Sequence, residues 1–158
     1  MKPISADTID RVIDELDNLS EDQYEQRMTA FAEAQPMLLA WLETESFDFL
    51  SEDEKGYLEY LALIIWSAVE KGGESPEPAE EEAIGEAEEA NYDIMEQTAG
   101  KPFRERLDPF FEGYAQEDLL SFAEEAVLED EEDPESLVTK EGREVIFVSL
   151  KTVIDVLT

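Results

Sequence analysis

The chain has 158 residues, of which 43 are Asp or Glu and 11 are Lys or Arg, giving a formal net charge of −32. It contains neither His nor Cys. That excludes disulfides, thiolate metal sites, thiol nucleophiles and every catalytic arrangement that needs an imidazole. Hydrophobic residues still make up 42% of the chain, and a domain of this length can bury roughly 70% of its unfolded surface, so a true core is expected.

Helical periodicity runs through most of the sequence. Residues 7–19 place Ile9, Val12, Ile13, Leu16 and Leu19 on one stripe, with Ser5 or Asp7 available as the cap. Ser20-x-x-Gln23 has the form of a capping box and opens a second helix with Tyr24, Met28, Phe31 and Ala32 on one side. Pro36 either ends that helix or occupies the first turn of the next, which carries Leu38, Leu39, Trp41 and Leu42. A second capping box, Ser51-x-x-Glu54, starts a helix over 52–71 that is apolar almost all round and therefore belongs at the centre of the fold. Gly72 and Gly73 close it.

Residues 72–82 read as an exposed Gly-, Pro- and Glu-rich linker. A helix over about 79–98 follows, with Ile84, Ala87, Asn91, Ile94 and Met95 inward; a buried Asn91 would need polar partners. Pro102 starts a short aromatic segment through Phe103, Leu107, Phe110, Phe111 and Tyr114, and 116–129 is amphipathic through Leu119, Phe122, Ala123, Ala126 and Val127. The last segment is rich in β-branched residues, which a strand would accept. Helical spacing fits it better: Ile146, Leu150, Val153 and Leu157 share one face, Lys151, Asp155 and Thr158 another, and Thr139 can cap the start. The fold class expected is all-α: a single globular bundle of seven or eight helices occupying residues 1–158. Offsetting the chain by 88 superposes Ser51, Leu58, Ile65 and Val69 on Thr139, Ile146, Val153 and Leu157, and an offset of 91 superposes 28–33 on 119–124. Two readings stand: two similar halves, 1–71 and 83–158, on either side of the linker 72–82, or a likeness that any two amphipathic helices share by pattern alone.

With His and Cys gone, carboxylates are the remaining catalytic material. Glu86-x-x-Glu89 and Glu105-x-x-Asp108 have the spacing by which paired acids hold Mg²⁺ on a helix. At this acidity about 11 such pairs arise by chance, and no basic cluster lies beside them to receive a phosphate. The run Glu129, Asp130, Glu131, Glu132, Asp133 can be set in a calcium-loop register that puts Glu141 at position 12, but Pro134 then stands at position 5 and Glu135 where the turn requires Gly. No metal site, cofactor or catalytic residue is expected.

Trp41, Trp66, Tyr57 and Phe31 lie on apolar stripes and read as core. Phe47 and Phe49 sit between two helices among acids, where an exposed ring would serve as a contact hot spot. Together with Glu129, Asp130, Glu131, Glu132 and Asp133 they form the candidate partner-binding set. The function expected is a non-catalytic, acidic protein–protein interaction module, such as an inhibitor or immunity-type binder, whose partner is a basic protein drawn in by charge. The alternatives are a Mg²⁺-dependent all-helical phosphohydrolase with clustered carboxylates and a homodimerising structural protein with no charged partner. The charge disfavours direct binding of nucleic acid or an anionic membrane. The start of the chain lacks the apolar run of a secretory signal, and the apolar stretch at 57–69 is short and interrupted by Glu59. A cytoplasmic location is expected.

Overall fold

Helices that are apolar on every side need neighbours on every side, and the fold is organised around the two that meet this description. The structure, a computed structural model, describes residues 1–44, 50–128 and 138–158. Among the described residues there are eight helices and no strand: α1 (Ala6–Asp17), α2 (Glu21–Ala34), α3 (Pro36–Leu42), α4 (Glu52–Lys71), α5 (Glu81–Gln97), α6 (Phe103–Phe111), α7 (Glu117–Leu128) and α8 (Lys140–Leu157). They form a single globular helical bundle. No helix among the described residues is long and apolar enough to cross a membrane.

The helix starts follow from side chains that satisfy the first orphan N–H groups. Ser5 accepts from Thr8 N, and both reciprocal boxes form, Ser20 with Gln23 and Ser51 with Glu54. Pro36 is the first residue of α3, where its missing N–H costs nothing. Gly73 has a φ of 94° beyond the end of α4, the left-handed turn that glycine adopts without strain.

α4 and α8 pack on each other at the centre, α1 covers α4, and α5 and α7 cover α8. Their directions can be read from the contacts. Ile4 lies by Gly72 past the end of α4 while Asp17 reaches Tyr60, so α1 runs antiparallel to α4. Arg106 bridges Met95 of α5 and Glu144 of α8, which sets those two helices antiparallel as well. α4 and α8 start together. The core is continuous, with Phe31 stacked on Trp66 at 5.1 Å and Phe110 edge-on to Phe147 at 5.1 Å. By packing partner, α1 on α4 corresponds to α5 on α8, and α3 on α5 to α7 on α1. The sequence offset of 91 instead pairs α2, which packs on α3 and α4, with α7, which packs on α8, α1 and α6.

Several expectations are corrected. Of the polar face read for α8, Lys151 is buried, because α5 covers that side of the helix, while Thr158 is exposed. Trp41 and Tyr57 are half-buried, unlike Phe31 and Trp66, and Ala32 is exposed. Residues 72–80 carry no helix and are mostly exposed, yet Gln35 ties them down: its amide donates to Glu77 O at 3.0 Å and accepts from Ala79 N at 2.8 Å. Ala79 is buried as a result.

Candidate functional site

The predicted contact residues Phe47, Phe49, Glu129, Asp130, Glu131, Glu132 and Asp133 lie outside the described residues. What is described is the pair of helix starts that follow them. Glu54, 2% exposed, accepts from Ser51 N at 3.0 Å through one carboxylate oxygen. Its other oxygen accepts from Thr139 N at 3.2 Å and Thr139 Oγ1 at 3.0 Å. Thr139 in turn caps α8 by accepting from Gly142 N at 3.0 Å. One carboxylate thus sits at the positive ends of two helices.

The surface feature with the composition expected of a partner site lies elsewhere. Both α1 and α7 run antiparallel to α4: Gln116, just before α7, holds Ile4 N and Lys2 O, and Tyr57 on α4 donates to Ala126 O near the end of α7. Between them the outer side of α4 is left as a groove of about 340 Å³. Tyr57, Tyr60, Leu61 and Ile64 form its floor, three or four residues apart and so on one helical face. Asp10 and Ile13 line one wall; Phe122, Glu125 and Ala126 line the other. The tyrosine hydroxyls are tied back to the flanks, Tyr57 to Ala126 O at 3.3 Å and Tyr60 to Asp17 Oδ1 at 3.1 Å. Burial first, then the Asp17 bond, pushes the Tyr60 phenol up to about 12. Asp10 and Glu125 are exposed, and none of the described lining residues is basic.

Several described cations elsewhere are held by partners within the fold. Arg27 donates to Glu70 and Ser67 at 2.8 Å each and lies 4.4 Å over the Trp66 ring; Lys71 pairs with Glu15 at 2.6 Å. Together they line a larger groove of about 520 Å³ over Val12, Leu16 and Leu19. Lys151 is enclosed by Asp155 at 2.8 Å, Asn91 Oδ1 at 3.2 Å and the Tyr114 ring at 4.3 Å. Asn91 also donates to Thr152 and Asp155, and Tyr114 donates to Asp155 at 2.6 Å. This network joins α5 to α8 and supplies the partners that a buried Asn91 requires.

Many of the described acids, by contrast, face outward. Glu82, Glu86, Glu89, Asp93 and Glu96 form an exposed stripe along α5 at helical spacing. Burial raises the carboxyls of Glu59, Glu88 and Glu124 above the ordinary range; Glu43 adds to the effect on Glu59. No group of three or more carboxylates among the described residues is arranged to hold a metal ion. Met1 and Met37 are the exposed large hydrophobic residues among those described, so no broad apolar face is offered.

The groove was poorly signalled in the sequence. Tyr57 and Phe122 fall on stripes that also carry core residues, and only the placing of α1 and α7 on either side of α4 turns the edge of those stripes into a groove. No family model, curated protein or solved structure matches the chain.

Proposed function

We propose that the protein is a non-catalytic, acidic interaction module that docks a basic partner protein. The observation carrying this reading is the α1–α4–α7 groove, which brings Tyr57, Tyr60 and Phe122 together with Asp10 and Glu125 and no base. Aromatic side chains supply contact area at low entropic cost, and surrounding carboxylates favour cationic partners and disfavour anionic ones. The excess of 43 acids over 11 bases would speed association over distances comparable to the Debye length. The scarcity of exposed large apolar side chains among the described residues argues for a charge-steered contact over a hydrophobic homodimer, whose interface would resemble a divided core. The phosphohydrolase alternative lacks a convergent carboxylate set among the described residues on which to rest.

The test is retention of proteins from the native lysate on immobilised chain, with stepwise salt elution. A basic protein released at moderate salt should then bind the purified chain in solution, with an affinity that falls steeply as salt rises. Retention of neutral or acidic proteins only, or affinity unmoved by salt, would overturn the reading.

A further inference from the structure

We infer that the α1–α4–α7 groove is the seat of an arginine side chain presented by the partner, a proposal that rests on the basic-partner reading above. The fold itself shows which chemistry this arrangement takes. Arg27 is held by the Trp66 ring at 4.4 Å and the Glu70 carboxylate at 2.8 Å. Lys151 is held by the Tyr114 ring at 4.3 Å and Asp155 at 2.8 Å, and Arg143 lies 4.8 Å over the Phe103 ring. The Arg27 and Lys151 sites each join a cation to an aromatic ring and a carboxylate. The groove repeats that set on the surface: three rings, Tyr57, Tyr60 and Phe122, with Asp10 on one wall and Glu125 on the other.

A planar guanidinium fits this set better than an ammonium. It stacks on ring faces while its fork of N–H groups reaches carboxylates in the plane, and it is more weakly hydrated, so a half-buried groove desolvates it at lower cost. The floor of Leu61 and Ile64 accepts the aliphatic stem. At about 340 Å³, the groove is at the small end of ligand sites, which suits one long side chain rather than a whole helix face. Walls that both carry acid also repel an anionic segment.

The experiment compares a fluorescent arginine-rich peptide with a lysine peptide of equal length and charge, titrated against the full chain at about 0.15 M salt. The double variant Asp10→Asn/Glu125→Gln alters two exposed groove acids. Glu86→Gln/Glu89→Gln makes the same charge change on the α5 stripe. Circular dichroism melts check that each remains folded. The arginine peptide should bind at least about tenfold more tightly than the lysine peptide, and the groove variant should lose most of that preference while the stripe variant keeps it. Phe122→Ala should weaken the arginine peptide more than the lysine peptide. Equal weakening by the two double variants would overturn the groove as the seat and leave a basic partner standing. Equal affinity for the two peptides would overturn the choice of arginine. Failure of both peptides to bind would remove this proposal, and the basic-partner reading would then be decided separately by the lysate experiment.

Discussion

Replacing Glu54 with alanine should destabilise the bundle by about 3 kcal/mol. The carboxylate is buried and accepts three hydrogen bonds, one from the start of α4 and two from Thr139 at the start of α8. Hydrogen bonds to a charged group contribute about 1.5–3 kcal/mol each, and loss of a cap about 0.5–2. The sum is reduced because Ser51 and Thr139 are themselves exposed and water can solvate the donors once the side chain is gone. Glu54→Gln keeps one acceptor oxygen and should lose about half as much. The assay is urea unfolding followed by circular dichroism. With a slope of about 2 kcal/mol per molar, the Glu54→Ala midpoint should fall by about 1.5 M at unchanged slope. Gln23→Ala is the internal control, since Gln23 completes the capping box of α2 alone; it should cost about 1 kcal/mol or less. If Glu54→Ala costs no more than Gln23→Ala, the bonds to Thr139 contribute nothing and the reasoning fails.

Gly142→Ala should destabilise although alanine favours a helix, because its Cβ would overlap Glu54 Oε2 and come within 3.1 Å of Thr139 Oγ1. The expected loss is about 1–3 kcal/mol, whereas Gly85→Ala, where nothing lies within 4 Å, should gain about 1; a melt of each variant decides, and a gain at both positions would refute the contact. Lys151→Met retains much of the volume but removes the cation from Asp155, so urea unfolding should show a loss of about 3 kcal/mol, with less than about 1 counting against an energetic role for the pair. Lowering the pH from about 7 to about 5 should raise the melting temperature. Burial raises the carboxyls of Glu59, Glu88 and Glu124 in the folded chain, so the folded state binds protons more readily than the unfolded one. Stability is therefore lost as pH climbs from the ordinary carboxylate value through the raised ones, and self-repulsion at −32 acts in the same direction. A melting temperature that is flat or falling over that range would show these environments to be wrong.

The elements were largely legible because their signals are local. Ser20, Ser51 and Thr139 mark three helix starts by themselves, Ser5 or Asp7 marks a fourth, and the all-round apolar run of α4 announces its central position. Contacts made across the fold were not legible. Both the Ser51–Glu54 box and the Thr139 cap could be read, but nothing in either segment says that Glu54 serves both. Lys151 and Asp155 are four apart and could be placed on one face; that this face is covered depends on Asn91 and Tyr114, far away in the chain. The groove escaped for the same reason, since Asp10, Tyr57 and Phe122 come from three separate stretches of sequence. A sequence read alone directed attention to acids and aromatics between helices, while the described ones that gather do so on helices.

α8 also has a consequence for how the chain is made. It is synthesised after the seven other described helices, yet α4, α5 and α7 all use it as a wall. Vectorial emergence from the ribosome, which lets many proteins acquire structure from the N-terminus onward, therefore delivers helices whose apolar sides have no mate until translation of the bundle is nearly finished. α1 waits similarly, since its start is clasped by Gln116. Until α8 emerges those apolar sides stay exposed, and the excess of carboxylates favours repulsion between copies in that state.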